Sequence, residues 1–192
     1  TLDFTGVAAY RTSGNLTTRD ALATLISPRN FIGAHHYGPV VGDVLGFIDA
    51  DGNRVERTVM GRQAVAGSDI LIGVLDSDVP DSITYYPIMA STTLMRLAQP
   101  YSNYNYWGNQ EQGLLPIVVF DAEAKAIIHN LNSANYGSVS HNTYTTGTRS
   151  LFSEDIVSGD SGNPGFLIID GRPILLFTHY GSTDAPNPGN FI

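Results

Sequence analysis

Short runs rich in Val, Ile, Tyr, Phe and Thr recur along this 192-residue chain, and Gly, Pro, Asn or Asp closes each of them within a few residues. That rhythm constrains the chain to strands joined by turns, as in a barrel or a sandwich. Two Asp-Gly steps sharpen the reading. Asp51-Gly52 lies between the runs Val44–Ile48 and Val55–Met60, and Asp170-Gly171 lies between Phe166–Ile169 and Ile174–Phe177. An Asp-Gly pair supplies the positive φ angles that a tight hairpin needs. Further strands are predicted over Ala21–Ser27, Asn30–Tyr37, Asp69–Leu75, Leu115–Phe120 and Ala126–Leu131. The polar and aromatic stretch Gln99–Gly113 has no strand pattern and reads as a long surface loop. The expected fold class is all-β, in two lobes divided near residues 80–100.

Composition narrows the function classes. With 18 acidic and 10 basic side chains the formal charge is −8. Such a surface repels phosphate backbones, so no nucleic-acid partner is expected. No run approaches the ~20 apolar residues of a membrane-spanning helix, so no membrane span is expected. Cysteine is absent, which removes a thiol nucleophile, disulfides and Cys-based zinc sites. Asp49–Asn53 partly resembles a calcium loop, yet Met60 stands where a bidentate Glu is needed, so a hairpin turn is the expectation. An acidic, cysteine-free chain with a single Lys, opening on Thr1, fits a secreted protein from which an upstream segment has been removed.

Three stretches carry chemistry. In Gly159-Asp160-Ser161-Gly162-Asn163-Pro164 a serine stands between glycines. Glycines let a substrate carbonyl approach closely, and the amides of Gly159 and Ser161 could stabilise a developing oxyanion. In Gly33-Ala34-His35-His36 an apolar strand runs into small residues and then histidine, the side chain suited to general-base work near neutrality. In Asp69-Ile70-Leu71-Ile72 a carboxylate opens an apolar strand, where a histidine N–H would satisfy it. Each stretch also has a plain structural reading: a turn, a surface histidine, a solvated strand-opening acid.

Taken together, in the order His, Asp, Ser, these stretches resemble the chymotrypsin/trypsin-like serine peptidase family. Gly159–Pro164 matches that family's Gly-Asp-Ser-Gly-Gly-Pro motif except at Asn163, and the order distinguishes it from subtilisin and α/β-hydrolase arrangements. His35 and Asp69 are 34 positions apart, and Asp69 and Ser161 are 92 apart. His179-Tyr180-Gly181 and Pro188-Gly189-Asn190-Phe191 resemble further steps of the family.

The resemblance implies two six-stranded antiparallel barrels, residues 1–90 carrying His35 and Asp69 and residues 91–192 carrying Ser161, with the active site in the cleft between them. It implies cleavage of a polypeptide substrate through an acyl-enzyme, with no metal and no cofactor. Ser161 is the expected nucleophile, His35 the base, and Asp69 the group that orients it. His36 is the competing base, set aside because the small pair precedes His35. Gly159 and Ser161 are the expected oxyanion hole. Two signals set the specificity pocket against itself. Asp155, six residues before Ser161, implies a basic side chain upstream of the cut, with Gly181 and Gly189 as open walls. His179 implies an acidic or amide side chain, as in glutamyl endopeptidases of the V8 type. A catalytically silent binding module on the same fold is the alternative. The family's N-terminal partner for Asp160 and its C-terminal helix have no counterpart in this sequence.

Overall fold

The computed structural model describes residues 1–10, 21–98, 115–180 and 187–191. The expected loop Gln99–Gly113 lies outside them. Six strands form the first closed barrel: β1 (Val7–Tyr10), β2 (Ala21–Leu25), β3 (Asn30–Ala34), β4 (Val44–Ile48), β5 (Arg54–Ala64) and β6 (Ile70–Leu75). Six more form the second: β7 (Leu115–Phe120), β8 (Ala126–Asn135), β9 (Ser138–Thr143), β10 (Pro164–Ile169), β11 (Arg172–His179) and β12 (Asn187–Phe191). Around the first barrel the order is β1-β2-β3-β6-β5-β4, and the second repeats it as β7-β8-β9-β12-β11-β10. The fold is all-β, and the described residues add one short helix, α1 (Ser91–Ala98), and a 3-10 turn at Thr148–Phe152. No helix among the described residues is long and apolar enough to cross a membrane.

Both Asp-Gly steps make the turns expected of them. Ile169 pairs with Arg172, leaving Asp170 and Gly171 as a two-residue loop with φ of 49° and 75°. In the β4–β5 turn the Asp49 carboxylate accepts from Asn53 N (2.7 Å), Asp51 N (3.0 Å) and Asn53 Nδ2 (3.0 Å). These bonds hold its pKa below the ordinary value, led by the Asn53 side chain. The carboxylate thus organises a turn.

β1, β9, β12 and α1 were not anticipated from sequence. β9 escaped notice because Ser138-Val139-Ser140-His141 turns only alternate residues inward, and one of these is polar. α1 buries Leu94 and Ala98 against the second barrel's core.

Each barrel has its own apolar centre. Phe31, Leu45, Phe47, Leu71 and Leu75 fill the first; Ile117, Val119, Ile127, Leu131, Leu176 and Phe177 fill the second. Removing a Phe or Leu side chain from water contributes about 1.5–3 kcal/mol. One packing device recurs in both. Phe31 lies opposite Gly73 in the β3–β6 ladder, and a Cβ on Gly73 would fall 2.0 Å from the ring. Phe177 lies opposite Gly165 in the β10–β11 ladder, where the corresponding gap is 2.2 Å. The missing side chain makes room for the ring to lie across the strand.

A third cluster joins the barrels: Leu22, Ile32 and Ile70 from one side, Phe120, Phe166 and Leu175 from the other, and Tyr86 between them. The connecting segment is stitched to β11 by Met89 N to Leu175 O and Leu175 N to Pro87 O, both 2.9 Å. This apolar seam sets the two barrels so that β3, the turn before β6, and the turn before β10 meet at one edge.

Candidate active site

The β3–β6 register decides which histidine meets the carboxylate. Ala34 pairs with Ile70, and the ladder runs one step further through His35 N to Asp69 O at 2.6 Å. The chain then turns, and His36 N donates to Asp69 Oδ1 at 3.0 Å. Gly38 permits this turn, since a Cβ there would lie 2.3 Å from Ala34 O. Arg62 Nη1 holds the outgoing backbone through Gly38 O (3.2 Å) and Pro39 O (2.9 Å).

The expectation for His35 is therefore corrected. Its ring is exposed and makes no hydrogen bond to Asp69 or Ser161. The strand ends at Ala34 rather than running to Tyr37, so alternation of side chains along a strand does not govern residues 35 and 36. It is His36 whose Nδ1 lies 2.5 Å from Asp69 Oδ2 and whose Nε2 lies 3.0 Å from Ser161 Oγ. A carboxylate only accepts, so Nδ1 carries the proton and Nε2 is left bare to accept from the serine hydroxyl. Asp69 accepts from both the amide and the ring of one residue, which fixes the imidazole plane and its tautomer. An imidazole so held can take a hydroxyl proton and return it.

Ser161 sits on a loop built from two consecutive tight turns. Asp160 N donates to Val157 O (3.2 Å) and Asn163 N to Asp160 O (3.0 Å). Gly159 and Gly162 adopt φ of 109° and 88°, values that side-chain-bearing residues rarely take. Gly162 also lets the loop rest on the first barrel: a Cβ there would stand 3.2 Å from Leu22 O and 3.3 Å from Ala34 N. Gly162 N donates to His179 O (2.7 Å) and His179 N to Asn163 O (2.9 Å), clasping the loop to the end of β11. The amides of Gly159 and Ser161 donate to no acceptor among the described residues.

Asp160 has partners the sequence did not suggest. Its buried carboxylate accepts from Val157 N (2.6 Å), from Asn163 Nδ2 (3.4 Å) and from the amide of Ala122. Burial raises its pKa, helped by the charges of Asp121 and Glu123, and the backbone amides of Val157 and Ala122 oppose the rise.

The expected pocket residues part company. Asp155 is exposed, and its charge acts on His129. Its neighbour Glu154 pairs with Lys125. His179 is buried at 1% exposure, with Nδ1 on Asn163 O (3.0 Å) and Nε2 on His141 Nε2 (3.0 Å). Asp155 and His179 do not pair with one another. Gly189 pairs through its backbone with His179 on one side and Val139 on the other, and Gly181 lies outside the described residues.

Sequence reasoning missed His129 and His141, which continue inward from His179. Their signal was alternation: Ile127 with His129, and Val139 with His141, share inward faces of β8 and β9. Among the described residues no group of three or more His, Asp or Glu side chains is arranged to hold a metal ion. Compared with protein-family models and with curated proteins, the sequence matches none of them.

Proposed function

We propose that this chain is a serine endopeptidase. Ser161 attacks the scissile carbonyl, His36 takes its proton and passes it to the leaving amine, and Asp69 orients His36 and stabilises the imidazolium. Water then hydrolyses the acyl-enzyme by the same steps in reverse. The observation that carries this reading is the pair of contacts made by one ring, 2.5 Å to Asp69 and 3.0 Å to Ser161. The uncommitted amides of Gly159 and Ser161 are the proposed donors to the oxyanion. The double barrel supports the reading by bringing residues 36, 69 and 161 to one edge, despite 125 positions between the histidine and the serine.

The side chain expected upstream of the cut is Lys or Arg. Asp155 offers an exposed carboxylate, whereas both nitrogens of His179 are already engaged. A fluorogenic peptide library tests both parts, with Ser161→Ala as control. Hydrolysis is expected after basic residues, falling to background in the variant while its thermal unfolding midpoint stays unchanged. Cleavage after Glu or Gln would move the pocket to His179 and require its internal contacts to open. No cleavage of any peptide by well-folded protein would refute the endopeptidase reading.

A further inference from the structure

The centre of the second barrel contains an unbroken line of polar contacts. From the Ser161 loop it runs Asn163 O to His179 Nδ1 (3.0 Å), then His179 Nε2 to His141 Nε2 (3.0 Å). It continues from His141 Nδ1 to His129 Nδ1 (2.8 Å) and ends with His129 Nε2 on Glu154 O (2.7 Å). His129, His141 and His179 are 0%, 0% and 1% exposed. All six ring nitrogens are used, and they face one another in pairs rather than converging on a point.

Each contact needs one hydrogen. A carbonyl only accepts, so the nitrogen facing it must be N–H. Two nitrogens at 2.8–3.0 Å need one N–H and one lone pair between them. Three neutral imidazoles carry three hydrogens, and there are four contacts. If His179 donates to Asn163 O, the pattern propagates and leaves His129 Nε2 bare against Glu154 O. If His129 donates to Glu154 O, His179 Nδ1 is left bare against Asn163 O. A neutral line always has two lone pairs opposed at one contact.

We propose that His129, His141 and His179 share one additional proton, so that a single positive charge lies buried beneath the Ser161 loop. His141 and His129 are then positioning residues, acting on the loop through His179. Burial works against this charge. It lowers His129 to about 4 and His179 to about 3, and it takes His141 well below its ordinary value. The position of His129 already includes the Asp155 carboxylate, which favours its charged form, so what stands against burial is the fourth hydrogen bond, which only the protonated line can make.

The groups facing the line are Asp155 and the Glu154–Lys125 pair at one end, and Asp160 behind Asn163 at the other. The uncharged ring of Phe177 stacks on His141, with centroids 5.0 Å apart. When the proton is withdrawn, the contact given up is the one at Glu154. Asn163 O is also held by His179 N, so the inner end is fixed while the outer end lies at the exposed Glu154–Asp155 step.

The proton count is independent of Ser161's role, so the test uses no activity. Nitrogen-15 spectra of the histidine rings in the full chain count N–H groups directly. At pH 5.5 the three buried rings are expected to show four protonated nitrogens out of six, and raising the pH removes the one on His129 Nε2. Three protonated nitrogens at pH 5.5 would overturn the proposal, as would five or six. First loss from His179 Nδ1 would overturn the assigned direction.

Discussion

Replacing His36 by Ala is expected to lower peptide hydrolysis by about a millionfold, as happens when one member of a mutually dependent nucleophile–base pair is removed. His35→Ala is expected to leave the rate near that of the unaltered chain. The two histidines are adjacent, and chemistry alone does not separate them. The separation comes from hydrogen bonding: His35 spends its amide on the last rung of the β3–β6 ladder, and its ring is exposed. His36 gives both its amide and its Nδ1 to Asp69, and its Nε2 meets Ser161. Steady-state rates for the two variants, with thermal unfolding to show that both fold, check this. Equal losses, or a larger loss for His35→Ala, would place the base elsewhere.

Asp69→Asn is expected to cost about 10⁴-fold in kcat while leaving the fold intact, because the substitution reverses a tautomer rather than removing a contact. Oδ1 and Oδ2 accept from two N–H groups of His36. An amide has one acceptor and one donor end. If its oxygen keeps the backbone N–H, its NH₂ faces Nδ1, which must then become the acceptor. The ring proton moves to Nε2, and the imidazole can no longer accept from Ser161. The opposite orientation sets NH₂ against the backbone N–H and loses that bond instead. A drop in kcat with little change in KM is the expected signature. Unchanged kcat would show that Asp69 does not set the tautomer.

Much of this architecture could be read from residue order alone, because turns and strands leave local marks. Asp170-Gly171 and the Asp49–Asn53 turn were legible through their backbone requirements, and β4 and β7 through their apolar runs. Asp69 and Ser161 were legible as polar residues set at the edge of apolar strands or between glycines. The choice between His35 and His36 was not legible. It depends on where β3 stops, and that is decided by the partner strand β6, whose Ile70 pairs with Ala34 from 36 positions away, rather than by the local motif. Asp160's amide partners were hidden for a similar reason, since Ala122 reaches it only through the closure of the second barrel. The histidine line joins positions 129, 141, 179 and 163 on four separate segments, and no local pattern announces it.

On the proposed reading His36 makes Ser161 a nucleophile, and treating the folded protein with a fluorophosphonate, with the adduct mapped by mass spectrometry, checks this. One adduct per chain is expected, on Ser161, and none after His36→Ala. An unreacted Ser161 in the folded protein, or equal labelling with and without the His36 imidazole, would contradict it.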